Sequence, residues 1–195
     1  MKKLTLIRHG EVVKSERMIL TGSVDLPLTE YGKTEIKNLA GKLHIPPDAA
    51  LFCSPLTRAV QSADILFEGK KRTILPDLRE IDFGLWENKS LKEIAEKNPE
   101  LLEKWQNDFD NFKFPGGESV TEFINRISSL AGIFLSREEE EIAVVAHKGI
   151  ITFLICRFLG ISYQKYVSFQ IDTASFTTLN LFQSNGVLTA LNVKL

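Results

Sequence analysis

Ile142-Ala143-Val144-Val145-Ala146 is an unbroken apolar run, followed at once by His147-Lys148-Gly149 and then by the almost wholly apolar stretch 150–159, closed by Gly160. A short run of this composition reads as a strand buried on both faces, and the stretch after it as a buried helix. A strand that needs cover on both faces belongs to a largely parallel sheet with helices on either side. The rest of the chain repeats the pattern. Leu4-Thr5-Leu6-Ile7, Ala50-Leu51-Phe52-Cys53 and the short Thr73-Ile74-Leu75, broken by Pro76, read as three further strands. Between them, Thr29 is placed to cap a helix running to about Leu43, with Ile36, Leu39, Ala40 and Leu43 on one face. Ser54 and Pro55 look like the cap and first turn of another, with Leu56, Ala59, Val60, Ala63 and Phe67 as its apolar stripe and Gly69 as its stop.

Further along, 90–97 and 99–109 have helical composition, and Phe114-Pro115-Gly116-Gly117 reads as a turn. Ser119-Val120-Thr121-Glu122 has capping-box spacing and opens a helix with Val120, Phe123, Ile124, Ile127 and Leu130 on one stripe. The charge run 137–141 reads as a solvated link, and Asn185-Gly186 between two alternating runs signals a β-hairpin. The expected fold class is α/β: a single-domain three-layer sandwich over 1–195, with a mostly parallel sheet, helices on both faces and a C-terminal antiparallel edge hairpin. The least regular part, 77–118, reads as an insertion over the carboxyl edge of the sheet, where the site is expected.

Bulk properties narrow the function classes. The chain has 195 residues, 44% of them hydrophobic and 25% charged, with a formal net charge of −1. That length buries a core without disulfides, and the near-neutral charge gives no footprint for nucleic acid or an anionic membrane. Cys53 and Cys156 lie in apolar segments without CxxC spacing, as expected of buried free thiols in a reducing cytoplasm. The N-terminal apolar run is too short for a signal peptide, and 150–159 is below membrane-spanning length. A cytoplasmic protein with no membrane partner is the expectation.

Parallel strands share one carboxyl edge, the usual ligand edge of α/β proteins, so the residues just after each strand converge there. The first strand delivers Arg8 and His9, the second Ser54 and Arg58, the third Glu80 after a short loop, and the fourth His147 and Lys148. Two arginines, two histidines and a carboxylate beside helix amino termini make an anion site. Arginine offers a rigid fork of donors suited to phosphate oxygens, and histidine can act as a nucleophile.

Arg8-His9-Gly10-Glu11 resembles the signature of the histidine phosphatase superfamily, which includes the cofactor-dependent phosphoglycerate mutases. Four more segments match its pattern in order: 53–59, 78–87, 114–119 and 144–147. The resemblance implies a metal-independent phosphomonoesterase without cofactor, acting on a small-molecule phosphomonoester through a phosphohistidine on His9. Arg8, Arg58 and His147 would hold the transferring phosphoryl group, and Glu80 would be the proton donor. Asp82 and Glu87 lie in the same irregular segment and compete with Glu80 for that role. Ser15, Thr21, Gly22 and Lys148 are the expected substrate-binding residues. The three histidines, His9, His44 and His147, show no metal-ligand spacing, and Trp86 and Trp105 read as packing groups more than as substrate stackers.

The chain also departs from the pattern. Val12 and Ser15 stand where many relatives carry threonine and a phosphate-binding asparagine, and Lys148 replaces a glycine after the last histidine. The segment 147–159 with Phe169-Gln170-Ile171-Asp172 beyond it looks more like α-ribazole 5′-phosphate phosphatases of cobalamin biosynthesis than like a mutase, which usually carries longer insertions. The alternatives are a phosphoglycerate mutase, a phosphatase for phosphoserine or sugar phosphates, and an inactive phosphate-binding module.

Overall fold

The computed structural model describes residues 1–12, 19–183 and 185–194. Six strands form one sheet: β1 (Lys2–Arg8), β2 (Ala50–Cys53), β3 (Thr73–Ile74), β4 (Glu141–Ala146), β5 (Phe176–Phe182) and β6 (Asn185–Val193), in the order β3-β2-β4-β1-β5-β6. β3, β2, β4 and β1 are mutually parallel, while β5 runs antiparallel to β1 and β6 antiparallel to β5. The helices are α1 (Glu30–Ala40), α2 (Thr57–Leu66), α3 (Leu91–Lys97), α4 (Pro99–Asn107), α5 (Val120–Ser136) and α6 (Lys148–Leu159).

The period-2 geometry of a strand sends successive side chains to opposite faces, and here it sorts them into two cores. Leu4 and Leu6 of β1, Ala50 and Phe52 of β2, and Ile142, Val144 and Ala146 of β4 join Phe123, Ile127 and Phe134 of α5 and Ile151 and Leu154 of α6. Ile7, Leu51, Cys53, Ala143 and Val145 face the other way, onto Leu39 of α1 and Ala59 and Ala63 of α2. Each fully buried large side chain contributes roughly 1.5–3 kcal/mol, so this double layer is what holds the edge residues in place. Among the described residues no helix is long and apolar enough to cross a membrane.

Three local expectations are corrected. α2 starts at Thr57, not at Pro55, and Ser54 is not its cap. The Ser54 hydroxyl is drawn away to His147, and Asp25 covers the helix start instead, accepting from Thr57 N and Thr57 Oγ1 at 2.7 Å each. α1 stops at Ala40, with the Gly41 N–H folding back onto Leu39 and Lys37 carbonyls. In the hairpin, Asn185 pairs with Phe182 and Gly186 with Leu181, so both stand in β6 and the chain reverses before them. Elsewhere the cap signals operate as expected: Thr29 accepts from Gly32 N, and Ser119 with Glu122 forms a complete capping box.

Candidate active site

Backbone pairing runs to the end of β1 and one residue past β1 and β2. The His9 N–H donates to Ala146 O at 3.1 Å, the Ser54 N–H to Val145 O at 3.0 Å, and the Arg8 N–H to Ser175 O at 3.0 Å. Arg8, His9 and Ser54 are thereby fixed by the sheet itself, and His147 follows directly on β4. Arg8, His9, Arg58 and Glu80 then line one cavity of about 400 Å³ at this edge.

His9 is buried, and its Nδ1 lies 2.7 Å from Gly10 O. A carbonyl only accepts, so Nδ1 carries the proton and the free lone pair is on Nε2. Burial, and then the charges of Arg8 and Arg58, hold the imidazole well below its ordinary pKa of 6.5. The ring is thereby favoured in its neutral form, with Nε2 unprotonated.

Arg8 Nη1 donates to Ile171 O at 2.6 Å, while its Nε is a buried donor with no partner among the described residues. An unsatisfied guanidinium N–H costs free energy unless an acceptor arrives, so this donor fits an anion. Arg58 is 1% exposed and donates from Nη1 to Val24 O and from Nη2 to Gly22 O, both at 2.6 Å, and from Nε to His147 Nδ1 at 3.2 Å. Burial lowers the pKa of both guanidinium groups, against the pull of Glu80, yet arginine remains charged.

His147 lies with its ring centroid 5.1 Å from that of His9. Nδ1 accepts from Arg58, so the proton is on Nε2, which meets Ser54 Oγ at 2.7 Å. Both ring nitrogens are occupied by the protein. Donation to a phosphoryl oxygen would therefore draw the Nε2 proton away from Ser54. Burial, followed by His9 and the two arginines, holds His147 neutral as well.

Glu80 accepts from Gly149 N at 2.8 Å and Ile81 N at 3.1 Å, the former in the first turn of α6. Burial raises its pKa above the usual 4.5, against those two hydrogen bonds and the two arginines. Its seat exists because residue 149 is glycine: a Cβ there would stand 2.3 Å from Glu80 Oε1. The loop is also anchored from behind, where Arg126 grips Glu118 through Nε and Nη2 at 2.8 Å each and donates to the Asp77 and Arg79 carbonyls.

Of the expected substrate-binding residues, Thr21 lines the cavity and the exposed Lys148 stands on its wall at the start of α6. Gly22 does not line it; its carbonyl holds Arg58, with Ile81 O crowding the space a side chain would need. Ser15 lies outside the described residues. Val12 reaches the cavity as an apolar wall. Glu87 and Asp82, the rivals of Glu80, are turned to backbone N–H groups, Glu87 to those of Gly22 and Phe83 and Asp82 to that of Gly84, and do not line the cavity.

Beyond the charged end, the wall is apolar. Phe83, Trp105, Phe109, Phe114, Phe123, Phe153 and Tyr166 line it with Ile19, Leu20, Leu91 and Val167. Trp86 is a core residue, as the sequence predicts, but Trp105 contributes to the cavity. Sequence reasoning missed this lining and also Ser62, whose Oγ accepts from Gly10 N and donates to Arg58 O. The one available signal was the density of aromatics in 83–114. Among the described residues, no group of three or more His, Cys, Asp and Glu is placed to hold a metal ion.

A model of the histidine phosphatase superfamily (branch 1) matches residues 4–194. The chain belongs to this superfamily. It is a phosphatase of the histidine phosphatase type, and several of its relatives span almost the same length. Phosphoserine phosphatase 1 of Hydrogenobacter thermophilus is 30% identical, covering 99% of this chain and 93% of the relative. The adenosylcobalamin/α-ribazole phosphatase of Salmonella typhimurium is 28% identical, covering 97% and 96%. Among solved structures, the α-ribazole phosphatase of Shigella flexneri superimposes with a TM-score of 0.86 at 27% identity, covering 98% and 96%. A phosphoserine phosphatase mutant of Entamoeba histolytica in complex with phosphoserine gives 0.86 at 26%, covering all of this chain and 98% of that one.

Proposed function

We propose that the histidine phosphatase chemistry of this chain runs through a phosphohistidine on His9. The observation that carries the reading is an imidazole with its proton on Nδ1 and its Nε2 lone pair available, sharing one cavity with the buried Arg58 and half-buried Arg8 guanidinium groups, the latter with a buried Nε–H that has no partner among the described residues. Nε2 attacks phosphorus, the P–O bond to the leaving group breaks, and Glu80 gives its proton to the departing oxygen. Water then attacks the phosphohistidine, Glu80 takes back a proton, and inorganic phosphate leaves with His9 restored. Arg8 and Arg58 stabilise the charge that spreads over the equatorial oxygens, each hydrogen bond contributing roughly 1.5–3 kcal/mol where it strengthens in the transition state. His147 is hydrogen-bonded to Arg58 and, by turning its Nε2–H hydrogen bond from Ser54 Oγ to a phosphoryl oxygen while keeping the proton, serves as a third donor.

For the substrate, α-ribazole 5′-phosphate fits the cavity best. Its flat, methylated benzimidazole base suits a wall of aromatic rings, and the segment 77–118 supplies much of that wall. Past the phosphate end, Lys148 is the only charged side chain among the described lining residues, which leaves the ammonium group of phosphoserine without a counter-charge. Phosphoserine is the second reading, favoured by Lys148 as a partner for its carboxylate and by the 30% identical relative. A phosphate-release screen in EDTA decides between them by specificity constant. The α-ribazole ester should exceed phosphoserine, and the reverse order would assign the second reading. Isomerisation of 3-phosphoglycerate with a bisphosphate primer and no phosphate release would instead indicate a mutase.

A further inference from the structure

Glu87 touches none of the cavity, yet its carboxylate accepts four hydrogen bonds at once: Gly22 N to Oε2 at 2.8 Å, and Ser23 N at 2.8 Å, Ser23 Oγ at 3.2 Å and Phe83 N at 3.1 Å to Oε1. Among the described residues it forms no ion pair. All four partners are neutral, a dense shell for a half-buried carboxylate.

The Gly22–Ser23 peptide group is the key element. Its N–H, on Ser23, donates to Glu87, while its C=O, on Gly22, accepts from Arg58 Nη2 at 2.6 Å. A carboxylate on the N–H end of a peptide polarises the group and strengthens its carbonyl as an acceptor, so the two bonds reinforce one another. The strand-like pairing of Leu20 N with Lys89 O and of Asn88 N with Leu20 O brings the two segments into register. No side chain fits at 22, where a Cβ would lie 2.1 Å from Ile81 O and 2.6 Å from Glu87 Oε1. Arg58 Nε in turn fixes His147.

We infer that Glu87 is a positioning residue that holds the Arg58 guanidinium, through the Gly22–Ser23 peptide, in the orientation needed to grip a phosphoryl group. The inference rests on the phosphate-site reading above. It predicts that Glu87 matters only while Arg58 is present, unlike a residue that merely stabilises the fold.

The test is a double-mutant cycle of Glu87→Gln and Arg58→Ala, read both as kcat/KM on an aryl phosphate and as inorganic phosphate affinity by calorimetry. Gln keeps the shape but has one acceptor oxygen in place of two. The expected result is a fall of about tenfold or more in both readouts with Arg58 present, and of less than about twofold in the Arg58→Ala background. Equal losses in both backgrounds, or no loss in either, would overturn the inference. If Glu87→Gln does not fold, Glu87→Asp, whose shorter arm cannot reach both peptide groups, is read in the same cycle. Turnover that survives His9→Ala would overturn the phosphohistidine mechanism, while the phosphate-affinity cycle would still decide the role of Glu87.

Discussion

His9 and His147 are chemically the same side chain in the same buried corner, and their neighbours give them different work. A carbonyl takes the Nδ1 proton of His9 and frees Nε2; a guanidinium N–H takes the Nδ1 lone pair of His147 and puts the proton on Nε2. Both are held well below their ordinary pKa. For catalysis the sign is direct: His9 must be unprotonated to attack, and lowering its pKa extends the competent form to lower pH. The acid limb of kcat/KM, corrected for the ionisation of the substrate near pH 6, should have its midpoint below 6.5; a midpoint at or above 6.5 would mean that the arginines and burial do not act on the nucleophile. Glu80 has the opposite shift, which keeps a proton available above pH 4.5. Since a Cβ at 149 meets its carboxylate at 2.3 Å, Gly149→Ala should displace the acid. Its cost should approach the roughly 10²–10⁴-fold value of a general acid for an alkyl phosphate and be much smaller for p-nitrophenyl phosphate, whose leaving group needs no proton. Equal losses on the two esters would remove Glu80 from the proton-transfer role.

At the scale of elements, helix starts show which sequence signals are trustworthy. Ser119 and Glu122 form their capping box because nothing else competes for the serine. Ser119→Ala should cost about 1 kcal/mol in chemical denaturation, with activity on aryl phosphates retained. Ser54, signalled as a cap by the Pro55 after it, is claimed by His147 from ninety-three positions away, and the helix starts two residues later than expected. That partner is invisible to any local reading. The strands were legible because their alternation had to serve two cores, with Phe52 toward α5 and Cys53 toward α2. The hairpin was legible as an element but not in its turn, because the turn dipeptide Asn185-Gly186 lies two residues too late, already paired within β6.

At the scale of the molecule, the sheet edge could be read from sequence because parallel strands leave no choice about which ends meet. Arg8, His9, Arg58 and Glu80 are therefore together as expected. What the spacing did not disclose is the cavity beyond them. Its aromatic wall is assembled from 83–114, α5, α6 and the 163–168 turn, each contributing rings that separately look like core, as Phe109 stacked on Tyr166 and Phe153 on Tyr163 illustrate. The Glu87–peptide–Arg58 linkage was hidden for the same reason, since it runs through backbone rather than side chains. All of these features converge on the covalent step at His9. Rapid acid-free quenching of the protein with a ³²P-labelled phosphomonoester, followed by peptide mapping, tests it most directly. The account predicts an acid-labile, base-stable phosphoryl label on the peptide carrying His9, absent from His9→Ala. A label on any other residue, or undiminished turnover by His9→Ala, would contradict it.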